Sequence, residues 1–445
     1  MNNTLINLNA PASKSVSHRA LLAAGLARGV CELENVLDSE DIRRTRDCLE
    51  ALGAGISGQG SSLSVKGLSG KIISHADEPV LLDVGESGTT CRLLAAIVSA
   101  GRGVFEISGR GRMHERPIHS LAQSLKDQEV VFDYLDRFGC PPLRINTRGF
   151  HGGEITVFLE ESSQYLSGVL LAATMARSPL TIGIGGRKVV SWPYVSLTLQ
   201  VMERFGIVPE VQVLKEGMWQ DVGSIGLDGI KPGEVRFIVR PGMFSAVRYR
   251  VEGDFSNASY LLAAGAAGKL PVIVSGLDED SRQGDRRILD ILRLMGAEVG
   301  STARGILVRK KSLQAVQLDM GTCPDLVPTV AVLASMSRGK TVITNVRHLR
   351  IKESDRLAGV YNEISRTGCT CTLKEDGLEI ESTGMPEGGT IEFSTYGDHR
   401  MAMSLSLYEL AGIKVVLDNP GCVNKSFPGF WDEWSKVRRA YNISG

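Results

Sequence analysis

One pattern recurs six times along the chain and limits what it can fold into. A short alternating strand runs into a loop of polar or small residues. An apolar helix of small residues follows, then a glycine-containing turn and a second strand. The helical stretches are RALLAAGLARG, RLLAAIVSAGRG, YLSGVLLAATMARS, YLLAAGAAGK, LVPTVAVLASMSRG and MAMSLSLYELAG. Each is apolar nearly all round, which predicts burial on every side. Each second strand leads towards an amphipathic helix: DIRRTRDCLEALGA, PIHSLAQSLKD, PYVSLTLQVMERFG, RRILDILRLMGA, SDRLAGVYNEISRTG and, more weakly, FWDEWSKVRRAY. Any α/β protein alternates strands and helices. That accounts for the order of elements but not for six LLAAG-like helices, each preceded by a polar loop. The reading is a sixfold β-α-β-α-β-type unit, too long for a solenoid repeat. A single core stops growing at roughly 250–300 residues, so 445 residues predict two domains of three units each.

Composition excludes several functions. Lys and Arg number 50 against 50 Asp and Glu, so there is no cationic excess for non-specific nucleic-acid binding. A hydrophobic content of 43% argues against disorder. The eight cysteines contain no CxxC pair, and the seven histidines no HExxH, so neither a disulfide scaffold nor a zinc site is expected. No run approaches the ~18 apolar residues of a membrane span, and the N-terminus has no signal-peptide pattern. The expectation is a cytoplasmic protein without metal or cofactor.

The six polar loops stand before helix N-termini, which bind anions through free N–H groups and the helix dipole. They hold Lys14, Ser15, Ser17 and Arg19; Ser87, Gly88, Thr89 and Thr90; Ser162, Ser163 and Gln164; Asp254, Ser256 and Asn257; Asp325; and Asp398, His399 and Arg400. Ordinary capping explains many of these, and Asp254, Ser256 and Asn257 are read as caps alone. Lys and Arg at a helix start oppose the dipole, so Lys14, Arg19 and Arg400 require an anion. Three further clusters carry charge: RGRMHERP (110–117), RIKESDR (350–356) and NKSFPGF (424–430). Each alone reads equally well as a solvated loop, with ion pairs worth ~0–1 kcal/mol. Taken with the helix starts, they outline a cleft for a polyanionic small molecule.

At this point ten ordered motifs resemble one family. They are PASKSVSHRALL, the GxSGT loop at 85–89, RMHERPI, ESSQYLSGVL, VSWPYVSLTLQVMERFG, VEGDFSNASY, PDLVPT, RIKESDRL, YGDHRMAM and NKSFPGF. Over essentially its whole length the chain resembles the 5-enolpyruvylshikimate-3-phosphate synthases, which are enolpyruvyl transferases. The resemblance implies an α/β fold of two similar globular domains, each of three β-α-β-α-β-β units in an inside-out α/β barrel. It implies one discontinuous domain of residues 1–13 plus 241–445, a second of 14–240, and a site in the interdomain cleft. It implies transfer of the enolpyruvyl group of phosphoenolpyruvate to the 5-hydroxyl of shikimate 3-phosphate, releasing phosphate by addition and elimination. The partners would be these two small molecules, with no nucleic acid and no membrane, and the chain a monomer.

By motif position, the resemblance places phosphoenolpyruvate at Lys14, Gly88, Arg116, Gln164, Arg356, Arg400 and Lys425. It places shikimate 3-phosphate at Lys14, Ser15, Arg19, Ser162, Ser163, Gln164, Ser191, Asp325 and Lys352. Tyr194 matches too, and reads equally as a packed aromatic. Asp325 is the implied base for the 5-hydroxyl. Glu353 and Lys14 are implied in proton transfer at the methylene carbon and the departing phosphate, with the division between them open. Two positions depart from the family. Glu86 stands where Asn is frequent, and its carboxylate would repel the donor unless turned away or paired. Trp192 replaces a basic or polar residue, and either packs against the acceptor ring or shields the cleft. Gly88 and Thr89 imply sensitivity to glyphosate. Two alternatives are an enolpyruvyl transferase for a UDP-sugar and a catalytically silent ligand-binding paralogue. Ser15, where the UDP-sugar enzymes have Asn, and the absence of cysteine from 109–117 argue against the first. Asp325, Glu353 and the arginines argue against the second.

Overall fold

The computed structural model describes residues 5–74, 78–223, 230–386 and 388–443. The chain divides into a middle unit, Lys14–Val251, and a terminal unit that joins Met1–Ser13 to Glu252–Gly445. The second crossing therefore follows Val251 rather than residue 240. Residues 241–251 are tied to the middle unit: Arg28 N donates to Phe244 O and Ser245 N to Phe205 O. The strand Arg248–Arg250 pairs in parallel with Val30–Glu34.

The middle unit holds α1 (Lys14–Leu26), α2 (Glu40–Ala51), α3 (Gly88–Ser99), α4 (His119–Ser124), α5 (Gln164–Ala173) and α6 (Pro193–Arg204). The apolar helices are α1, α3 and α5, and in α5 every residue from Tyr165 to Ala173 is buried. Small residues let these helices approach closely. A Cβ on Gly168 of α5 would come within 2.8 Å of the Ala96 methyl on α3. By contrast, α2 buries one stripe, Ile42, Thr45, Cys48 and Leu49 among it, at helical spacing.

The terminal unit holds α7 (Phe255–Ala267), α8 (Ile288–Leu294), α9 (Val327–Ser335), α10 (Arg356–Ser365), α11 (His399–Leu405) and α12 (Phe430–Tyr441). Every residue of α7, α9 and α11 is buried. The stretch read as one helix, MAMSLSLYELAG, divides into α11 and a 3-10 turn at Ser406–Ala411.

Among the described residues each unit has three sheets, and each sheet contains one parallel pair. In four of the six a strand–helix–strand crossover produces that pairing. Two copies of the repeat are not self-contained, contrary to the sequence reading. Ile6–Asn9 precedes α1 but pairs with Val272–Ser275, the strand after α7. Arg248–Arg250 precedes α7 but pairs with Val30–Glu34, the strand after α1. The first and fourth copies thus exchange their opening strands. Where this happens, the two crossing segments bind each other: Ser13 N donates to Glu252 O and Asp254 N to Pro11 O, both at 2.8 Å. Among the described residues the sixth sheet has two strands, because the chain leaves Ile413–Leu417 for a 3-10 turn, Pro420–Lys425, and then α12.

Candidate active site

In the middle unit the polar loops become helix starts. Lys14 opens α1, and its Nζ lies 3.0 Å from Asp41 Oδ2 on α2. The anion expected for Lys14 is therefore supplied, at least in part, by the chain itself. Arg19 is different. It is 1% exposed, and its Nε donates to Thr198 Oγ1 (2.8 Å), one terminal nitrogen to Ser15 O (2.9 Å), and the other to Tyr194 O (3.0 Å) and Ser167 Oγ (3.3 Å). Four of five N–H groups are spent on neutral oxygens. Burial lowers its pKa to about 10, so it stays cationic at neutral pH. These bonds go to neutral oxygens, so they leave the charge of Arg19 uncancelled.

One turn after Lys14, His18 begins a chain of short hydrogen bonds. Its Nδ1 pairs with Thr45 Oγ1, Thr45 with Thr90 Oγ1, and Thr90 donates to Ser87 Oγ, each at 2.7 Å. Ser87 caps α3 by accepting from Thr90 N. Burial, which outweighs the pull of Asp41, lowers the His18 pKa to about 3 and keeps the ring neutral. The chain fixes the start of α1 against the start of α3.

At that start the guanidinium of Arg116 lies over Gly88, in the space a Cβ would occupy. Arg116 donates to Glu86 O at 3.3 Å. The three arginines of RGRMHERP separate by role. Arg110 faces Glu40 at 3.8 Å and Arg112 faces Glu115 at 3.6 Å, both exposed, while Arg116 is buried. Gln164 opens α5. Its Nε2 donates to Thr89 Oγ1 at 2.8 Å, its Oε1 accepts from Arg92 at 3.1 Å, and its backbone N donates to Ser162 Oγ. Ser163 is buried beside it. Sequence reasoning missed Arg92, although a lone arginine inside an apolar helix was the available signal. Ser191 adopts a left-handed backbone, φ 54°, three residues before Tyr194. Trp192 stacks on Phe237, ring centroids 6.1 Å apart, which places its side chain in the body of the middle unit.

The terminal unit gathers charge more densely. Asp325 lies in a 3-10 turn just before α9. Its Oδ1 is 2.9 Å from Arg356 and its Oδ2 is 2.8 Å from Arg400. Arg356 also meets Glu353 at 2.8 Å and Asp398 at 2.9 Å. Burial alone would raise the Asp325 pKa, but Arg400, Lys352 and Arg356 hold it far below the carboxylate range. Arg356 is raised: burial works against its charge, and three carboxylates overcome it. Arg400 also reaches Tyr260 OH at 3.4 Å. Lys425 ends the turn Pro420–Lys425, where Ser426 exchanges hydrogen bonds with Asn257 of α7.

One carboxylate here, Asp285, escaped the sequence reading, and Asp398, read there as part of a polar loop, is also a partner of the arginines. Asp398 caps α11 through Arg400 N and accepts from Ser354 and Arg356. Asp285, wholly buried, hydrogen-bonds Ser256 Oγ, and burial followed by the Asp325 charge raises its pKa to about 7. Ser256 and Asn257 therefore do more than cap. Only Asp254 fills that role, accepting from Asn257 N at 2.8 Å. Among the described residues no group of three His, Cys, Asp or Glu could hold a metal ion, and no helix is long and apolar enough to cross a membrane.

Residues 5–434 match the family model for EPSP synthase (3-phosphoshikimate 1-carboxyvinyltransferase). The chain belongs to the EPSP synthase family. The 3-phosphoshikimate 1-carboxyvinyltransferase of Vibrio cholerae serotype O1 (strain ATCC 39541 / Classical Ogawa 395 / O395) is 37% identical over 434 residues, 97% of this chain and 96% of that protein. The Tolumonas auensis enzyme of the same name is 39% identical over 433 residues, 97% of this chain and 96% of its own. An EPSP synthase structure from Acinetobacter baumannii superposes with a TM-score of 0.75 at 23% identity, covering 97% of this chain and 95% of that one. The fold is thus that of the two-domain enolpyruvyl transferases.

Proposed function

We propose that this chain is a working 3-phosphoshikimate 1-carboxyvinyltransferase, joining C2 of phosphoenolpyruvate to the 5-oxygen of shikimate 3-phosphate and releasing phosphate. The observation that carries the reading is Asp325 held between Arg356 and Arg400. A carboxylate between two fork-shaped cations can yield them to substrate phosphate and carboxylate groups, which match the same geometry. With both arginines upon it Asp325 is a weak base. Once substrate anions take those arginines, its basicity rises where the acceptor hydroxyl must lose its proton.

The assigned roles follow from this. Arg116, Arg356, Arg400, Lys425, Gln164, Lys14 and the open backbone at Gly88 hold the donor. Ser15, Arg19, Ser162, Ser163, Ser191 and Lys352, with Lys14, Gln164 and Asp325, hold the acceptor. In the addition step the 5-oxygen bonds to C2 while a proton reaches the methylene carbon. In the elimination step the methyl group returns a proton, the C–O bond to phosphate breaks and the double bond re-forms. Glu353 and Lys14 are the candidates for these transfers. The two units, which we propose act as domains, serve this one reaction. The protein works as a cytoplasmic monomer without metal or cofactor.

Phosphate release with phosphoenolpyruvate and shikimate 3-phosphate, run against UDP-N-acetylglucosamine, tests the reading. Turnover with the UDP-sugar alone overturns it, as does binding without turnover of either acceptor.

A further inference from the structure

The loops at 85–88 and 109–116 are laced together residue by residue. Arg110 N donates to Gly85 O at 2.9 Å, and Arg116 donates to Glu86 O. The Arg116 guanidinium fills the space beside Gly88. The Glu86 side chain follows the same scheme in the opposite direction. Its Oε1 occupies the space beside Gly111, where a Cβ would stand 2.6 Å away. Gly111 has φ 55°, a backbone that other residues enter at some cost.

We infer that Gly111 is the seat of the Glu86 carboxylate, and thereby a positioning residue that keeps this negative charge clear of donor binding by Arg116. The inference rests on the assignment of Arg116 and Gly88 to phosphoenolpyruvate. A Cβ at 111 meets the far end of a flexible side chain, so the carboxylate moves while the backbone stays. The displaced charge is carried by the residue whose carbonyl holds Arg116 and which lies two before Gly88. The donor brings a phosphate and a carboxylate, and at ~6 Å a like charge is felt even in solvent-like surroundings.

The test is saturation kinetics for phosphoenolpyruvate in the parent, G111A, E86Q and the double variant. G111A is expected to raise KM about fivefold, ~1 kcal/mol at 1.4 kcal/mol per tenfold, with kcat changed less than about twofold. E86Q in the G111A background, isosteric but neutral, is expected to bring KM back to within about twofold of E86Q alone. G111N separates displacement from strain. Asn tolerates the left-handed backbone yet carries a Cβ, so the same KM rise is expected, and G111N carries the test if G111A does not fold. An unchanged KM in both 111 variants overturns the inference, as does a rise that E86Q fails to relieve. A parent that turns over neither substrate pair overturns the functional reading itself, which is a separate outcome.

Discussion

Arg356 Nη1 lies 2.9 Å from Asp325 Oδ1, on a side chain that is 1% exposed. Two residues 31 positions apart thereby bring opposite charges together in a largely buried place. Arg356 satisfies Glu353 and Asp398 at the same time, so one side chain organises three carboxylates. Arg400 binds the other oxygen of Asp325 and gives its backbone N–H to Asp398. Asp398 thus fixes both arginines that Asp325 shares.

Asp325→Ala is expected to lower kcat by about 10²–10⁴-fold, the range of a general base, while the dissociation constant of shikimate 3-phosphate changes far less. Phosphate release and calorimetric acceptor binding measure the two. Asp325→Asn keeps the shape and separates lost basicity from lost packing. Unchanged turnover removes Asp325 as the base.

Arg356→Met leaves three buried or half-buried carboxylates without their shared cation. The expected loss is about 3–5 kcal/mol of stability, typical of breaking a buried ion pair from one side. Denaturant unfolding measures it. A loss below about 1 kcal/mol would place the arginine among ordinary surface pairs.

Gly88→Ala forces the Arg116 guanidinium from its place. Loss of a charge-assisted contact to the donor predicts a phosphoenolpyruvate KM about 10–100-fold higher. The shikimate 3-phosphate KM should stay within about threefold, since its assigned contacts do not depend on Arg116. Steady-state kinetics in both substrates decide the matter. The parent, with Gly88 intact, is expected to be inhibited by glyphosate, and Glu86→Asn at least as strongly. An uninhibited parent refutes that expectation.

His18 predicts a pH dependence. Its folded pKa, about 3, lies below the unfolded value of 6.5. As pH falls through 6.5 the unfolded chain takes a proton that the folded chain refuses. The stability from neutral His18 is full above pH 6.5 and is lost on the way towards pH 3. The slope reaches up to ~1.4 kcal/mol per pH unit. Denaturant melts of the parent and His18→Asn at pH 7, 6 and 5 test this. The advantage of the parent should shrink with each step of acid, and a constant difference refutes it.

Much of this protein is legible in its sequence. The six apolar helices follow from composition alone: a stretch such as YLLAAGAAG has no polar face, so it must be buried on every side. The motifs carry the family because substrate chemistry demands particular residues at fixed places in the loops. What those residues touch was not legible. Lys14 met Asp41, and Ser256 met Asp285, across separations that no local period encodes. The arginines of 110–117 looked alike in sequence, yet only Arg116 turns inward, over a glycine. The pairing of strand Arg248–Arg250 with Val30–Glu34 was hidden for the same reason. A strand's own sequence specifies which of its faces is buried, and the partner is chosen by where the rest of the chain has folded. The sequence by itself determined the repeat, the buried helices and the inventory of charges. Only the tertiary structure decided which charges neutralise one another, because that depends on distance through space at low dielectric, and sequence separation carries no such distance.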